Sequence, residues 1–121
     1  MKHCLVVDDS DVIRKVARRI LETMNFEVSE AENGQEAIER CKSRAPDAIL
    51  LDWHMPVMGG FEFLGALRLS NLERKPFVLY CTTENDPAEL TRAFAAGADD
   101  YVLKPFDRES IESKLANAGL T

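Results

Sequence analysis

The chain has 121 residues, 45% hydrophobic and 30% charged, which suits one folded domain and excludes both disorder and a second core. Its formal net charge of −6 argues against a nucleic-acid backbone as a direct partner. No apolar run approaches transmembrane length, and the run before Asp8 is too short for a signal-peptide core, so no membrane insertion is expected. His3–Val7 reads as a first strand that stops at two carboxylates, Asp8 and Asp9. Ser10 or Asp11 caps the helix that follows. Its apolar positions Val12, Ile13, Val16, Ala17, Ile20, Leu21 and Met24 recur at helical spacing, and Arg14, Lys15, Arg18 and Arg19 take the other side. Asn25 ends that helix, and residues 26–31 form a shorter strand whose polar alternation suits an edge. Asn33 caps a second helix with Ala37, Ile38 and Cys41 inward, and Pro46 closes the link to the next strand.

Residues 48–51 are apolar without alternation, the pattern of a strand buried on both faces, and the run ends abruptly at Asp52. Pro56 forces a turn, and Gly60–Leu69 reads as a third helix with Phe61, Leu64 and Leu67 or Arg68 on its buried face. A polar loop over 71–76 leads to a fourth buried strand, 77–81, that terminates in Thr82 and Thr83. Pro87 opens a fourth helix with Leu90, Ala93 and Phe94 on its apolar side, and Gly97 closes it. Residues 101–103 make a short fifth strand ending at Lys104-Pro105, and Arg108–Asn117 a last helix carrying Ile111 and Leu115. Cys4, Cys41 and Cys81 are far apart with no C-x-x-C spacing, and read as reduced core residues of a cytoplasmic protein. Five strands alternating with five helices imply a parallel α/β sheet covered on both faces.

In such a sheet the residues just after each strand gather at one rim. Here they are Asp8, Asp9, Asp52, Thr82 and Lys104. Two carboxylates about 4 Å apart repel by roughly 4 kcal/mol at an effective dielectric near 20, so three together call for a cation. Hard carboxylate oxygens without a Cys or His cage favour Mg²⁺ over zinc and leave coordination positions for a phosphate group. Side-chain ligation by His3 or His54 is disfavoured, since no second soft ligand is spaced for either.

This ordered set resembles the receiver domain of the two-component response-regulator family, over residues 4–117. The carriers are Asp8-Asp9, Asp52 followed by Met55-Pro56 and Gly60, Thr82, and Lys104-Pro105-Phe106. The resemblance implies a (βα)5 flavodoxin-like, doubly wound fold with strand order 2-1-3-4-5. It implies that residues 1–121 are one receiver domain with no output domain. Asp52 would be the phosphoacceptor, taking a phosphoryl group from a phosphohistidine and becoming an aspartyl phosphate. Asp9, Asp52 and the backbone carbonyl of His54 would ligate Mg²⁺ (or Mn²⁺), with Asp8 acting through water. Lys104 and Thr82 would bind phosphoryl oxygens, and Lys104-Pro105 matches a position where the family has a cis peptide. Thr82 and Tyr101 would be the switch pair that biases a surface of the fourth helix, fifth strand and fifth helix. Thr83, where the family often has Ala or Gly, and His54, two residues after the acceptor, would tune phosphoryl lifetime.

The implied partners are a histidine kinase or histidine phosphotransfer protein and a downstream protein target, with the chain a monomer or a phosphorylation-dependent dimer. The arginines of the first helix are either a solvated face or the dock for the histidine-bearing partner. The leading reading is a regulatory phosphoacceptor rather than an enzyme. One alternative is a receiver excised from a longer DNA-binding regulator or hybrid kinase. A phosphohydrolase of the haloacid dehalogenase type is disfavoured because it prefers D-x-D after its first strand. A flavodoxin would need a Ser/Thr-rich phosphate loop there.

Overall fold

The computed structural model describes residues 1–72, 75–83 and 86–121; the middle of the loop over 71–76 lies outside them. The elements in order are β1 (His3–Val7), α1 (Asp11–Thr23), β2 (Glu27–Ala31), α2 (Gly34–Ser43) and β3 (Ala48–Asp52). They continue with α3 (Gly60–Leu69), β4 (Phe77–Thr82), α4 (Pro87–Ala96), β5 (Asp100–Leu103) and α5 (Arg108–Asn117). The strands form one sheet in the order β2-β1-β3-β4-β5 with every neighbouring pair parallel, as the resemblance implied. β2 is an edge strand, which explains its polar alternation.

Alternation along the strands builds two cores. Leu5, Val7, Ile49, Leu51, Val78 and Tyr80 face α2, α3 and α4, packing on Ala37, Ile38, Phe63, Leu64, Ala93 and Ala96. Cys4, Val6, Leu50, Leu79, Cys81 and Val102 face the other way, onto Ala17 and Leu21 of α1 and Ile111 and Leu115 of α5. The three cysteines are buried and free, and burial pushes the Cys41 thiol up to about 11.

Helix starts are fixed by side-chain caps. Ser10 Oγ accepts from Ile13 N–H, Asn33 Oδ1 from Glu36 N–H, and Asp107 Oδ1 from Ser110 N–H. Asn25 takes a positive φ of 63° just beyond α1. Gly60 is required by close approach: a Cβ there would lie 2.8 Å from the Trp53 ring and 2.9 Å from the Asp52 carbonyl oxygen. That contact folds the segment after Asp52 back onto α3.

Four inward-facing assignments, on α1, α3 and α4, differ from the periodicity. Val12 and Val16 are exposed, because the stripe that meets the sheet runs through Ala17 and Leu21. Phe61 is 56% exposed whereas Phe63 is fully buried, so α3 sits rotated from its expected face. Phe94 is also exposed, and packs edge-on against Tyr101 at a ring separation of 6.3 Å. Arg14 likewise leaves its solvated face: its side chain is 11% exposed and donates to Glu30 at 3.0 Å and to the Asp8 carbonyl at 2.6 Å.

Candidate phosphoacceptor site

The carboxyl ends of the strands bring the predicted rim residues together. Asp8, 3% exposed, follows β1; its Oδ1 accepts from Ser10 N–H at 2.9 Å, which fixes the carboxylate at the mouth of α1. Asp9 beside it is exposed. Asp52 closes β3 half-buried, with Oδ1 accepting from Trp53 N–H at 2.9 Å. Lys104 reaches across from the end of β5: its Nζ lies 2.7 Å from Asp8 Oδ2 and 3.2 Å from Asp52 Oδ1. The Lys104 N–H donates to the Thr82 carbonyl at 2.7 Å, and the Lys104–Pro105 bond is cis.

The electrostatics are unbalanced. Burial raises the Asp52 carboxyl above its ordinary pKa, the Asp8 charge adds to this, and Lys104 offsets only part of it. Burial works against the Lys104 ammonium, but its bonds to Asp8 and Asp52 outweigh that and hold its pKa high. Asp8, Asp9 and Asp52 each offer a carboxylate oxygen, and these atoms lie within 4.8 Å of one another. Three hard oxygen donors facing one ammonium leave excess negative charge in a small space. That donor set fits Mg²⁺ or Mn²⁺.

Thr82 ends β4, 6% exposed, and Thr83 after it is exposed. Tyr101 on β5 is half-buried, with Lys114 Nζ 5.1 Å from its ring centroid. The His54 side chain is 80% exposed and lies outside the carboxylate group, its Nε2 3.2 Å from Glu89 Oε1. His3 sits at the opposite end of β1, against Ser29.

Two features were not anticipated. Arg14 grips the Asp8 carbonyl from α1. Tyr80 and Glu89, both buried, are joined by a hydrogen bond of 2.5 Å. The available signal was Glu89 itself, a charge in register with Ala93 and Ala96 on the buried stripe of α4.

Comparison with known proteins agrees with this geometry. Residues 4–116 match the family model of the response regulator receiver domain. The chain is 36% identical over 113 residues to the chemotaxis protein CheY1 of Helicobacter pylori strain J99, covering 92% of this chain and 91% of that one. It is 35% identical over 117 residues to CheY of Halobacterium salinarum, covering 96% and 95%. Its structure superposes on CheY4 of Vibrio cholerae with a TM-score of 0.90 at 35% identity, over 97% of this chain and 98% of that one. It superposes also on the receiver domain of the sensor histidine kinase PA1611 of Pseudomonas aeruginosa, whose active-site cleft coordinates a magnesium ion, with a TM-score of 0.87 at 25% identity over 96% and 95%. With the acidic rim, the strand order and the sequence match all in agreement, this chain belongs to the response regulator receiver domain family of two-component signalling.

Proposed function

We propose that the chain is a phosphoacceptor that takes a phosphoryl group onto Asp52 from a phosphohistidine of a histidine kinase or histidine phosphotransfer protein. The observation that carries this reading is the single ammonium of Lys104 shared between Asp8 and Asp52 at the end of the central strand. An Asp52 oxygen attacks phosphorus, and the bond to the donor imidazole nitrogen breaks with its electron pair going to that nitrogen. The transition state spreads negative charge over the phosphoryl oxygens, so positioned cations and donors supply most of the stabilisation.

Lys104 turns from Asp52 to a phosphoryl oxygen, and the Thr82 hydroxyl donates to another. Asp9, Asp52 and the His54 backbone carbonyl would hold Mg²⁺ or Mn²⁺, with Asp8 acting through water. A cation bound there supplies charge neutralisation at the phosphoryl oxygens. Tyr101 then turns inward behind Thr82 and changes the α4–β5–α5 surface that a downstream protein reads. Thr83 and His54 flank the group and set how fast water removes it. The chain thereby assists only its own phosphorylation and dephosphorylation.

As relatives, the two CheY proteins are spanned over 91% and 95% of their length, which supports one receiver domain acting on a separate protein, as a monomer or a phosphorylation-dependent dimer. A regulator of the PhoB type from Rhizobium meliloti, of which the chain spans 48%, marks the alternative of an attached output domain. No described helix is long and apolar enough to cross a membrane, and the free buried cysteines fit a reducing cytoplasm.

Incubation with a small acyl phosphate, with and without Mg²⁺, tests the reading on wild type and Asp52→Asn. One stoichiometric, Mg²⁺-dependent label on wild type and none on the variant is expected. A label that forms equally well without Mg²⁺, or an equally labelled variant, would refute it.

A further inference from the structure

A cavity of about 460 Å³ opens between the last turns of α3 and α4, beside the start of β4. It lies at the amino ends of the strands, whereas Asp52 lies at their carboxyl ends. Its volume is within the range of small-molecule sites. Leu64 of α3, Val78 of β4 and Ala96 of α4 line it yet are 3%, 1% and 6% exposed, so they form its floor. Leu67 and Leu72 are half-buried along its sides, and Arg68 and Lys75 are exposed at its mouth. A hydrocarbon entering between such walls leaves water and gains dispersion contacts.

Two cations at the mouth of an apolar hollow stand out in a chain of net charge −6. No carboxylate among the described residues pairs with Arg68 or Lys75, and none lines the cavity. The Asp99 carboxylate, bonded to a floor residue, is committed to the Val78 N–H at 2.8 Å. Arg68 is held in place, because its Nη2 donates to the carbonyls of Ala95, at 3.3 Å, and Ala96, the last two residues of α4. Those carbonyls carry only partial negative charge and do not neutralise a full cation. A guanidinium has five N–H donors, so those on Nε and Nη1 remain for a further acceptor. Since α4 already fixes this side chain, a ligand need not immobilise it. We propose that this cavity is a binding site for a small amphipathic carboxylate, with its aliphatic chain against Leu64, Leu67, Leu72 and Val78 and its head group at Arg68 and Lys75. The site shares no residue with the acidic rim, and it does not rest on Asp52 being the phosphoacceptor.

The test is a titration of the full chain with octanoate, followed by calorimetry and methyl NMR. Octanol and octylammonium serve as neutral and cationic probes of the same chain length. Shifts centred on the methyls of Leu64, Leu67, Leu72 and Val78 are expected, with octanoate bound about tenfold tighter than octanol and octylammonium weakest. Lys75→Met, at an exposed position where folding is not at risk, should lower the octanoate-to-octanol preference about three- to fivefold. Arg68→Met also removes a contact to α4, so its reading is that same ratio, which a loss of stability alone does not move. Ala96→Leu fills the floor and should weaken octanoate and octanol alike, by about tenfold or more. If that variant does not fold, the ratio in Lys75→Met decides. Asp52→Asn should bind octanoate as wild type does. Octanoate bound no tighter than octanol, shifts centred elsewhere, a ratio that neither cation variant lowers, or loss of binding in Asp52→Asn overturns the proposal.

Discussion

Two carboxylate sites, Glu30 on β2 and Asp52 at the end of β3, are wired in opposite ways. Glu30, on the edge strand, faces two guanidinium groups: Arg14 Nε at 3.0 Å and Arg18 Nε at 2.7 Å. Burial works to raise its pKa, but the hydrogen bonds from Arg18 and Arg14 outweigh it and hold the carboxyl below its ordinary value. Asp52 faces two further carboxylates and shares one ammonium, and its carboxyl is held above its ordinary value, chiefly by burial. The first cluster is satisfied by the fold and serves as a clamp between α1 and β2. The second is left short of positive charge, which is what a site awaiting a cation and a phosphoryl group requires.

The largest expected effect is on chemistry. Lys104→Met removes the ammonium that Asp8 and Asp52 share, and labelling by a small acyl phosphate at saturating Mg²⁺ should slow by about 10²–10³-fold, read as initial rate. Arg14→Met, which disturbs the clamp, should leave that rate within about threefold while lowering stability by roughly 1 kcal/mol in urea unfolding.

Next come stabilities of opposite sign, measured in chelator at neutral pH. Glu30→Gln should cost about 1 kcal/mol, a modest figure because the pair is partly solvated. Asp52→Asn should gain about 1 kcal/mol, because burial of the carboxylate and its repulsion by Asp8 together outweigh what Lys104 returns. Added Mg²⁺ at ten times its dissociation constant should stabilise wild type by about 1.4 kcal/mol and Asp52→Asn by less.

A pH series sharpens the contrast. Because the folded pKa of Glu30 lies below the unfolded value near 4.5, its contribution is present above that value and is lost as pH falls through the folded pKa. The stability gap between wild type and Glu30→Gln should therefore be full at pH 6 and close under acid conditions. A gap that stays constant to acid pH would show that packing, not charge, makes the clamp. Smallest of all, Val12→Ser on the exposed side of α1 should change stability by no more than about 0.5 kcal/mol.

Much of this was legible in the sequence because the signals are local. An apolar run ending in Asp52 marks a buried parallel strand and the candidate acceptor at its tip together, and α3 and α5 have the bounds read from the sequence. The face of α3 was not legible: Phe61, Phe63, Leu64, Leu67 and Leu69 surround the helix, so period alone chooses no side. Arg14 reads as solvated from its charge, and only the approach of Glu30 from β2 makes a buried position affordable. The Tyr80–Glu89 bond has no sequence signature of its own, since it exists only once α4 packs on β4.

The most direct test is to trap the phosphorylated chain with borohydride and map the product by peptide mass spectrometry, because reduction converts an aspartyl phosphate to homoserine. Homoserine at position 52 alone, present only when the phosphoryl donor and Mg²⁺ were both supplied, is the expected result. Homoserine at position 8 or 9 instead, or none at any position while the chain carries phosphate, would contradict the assignment.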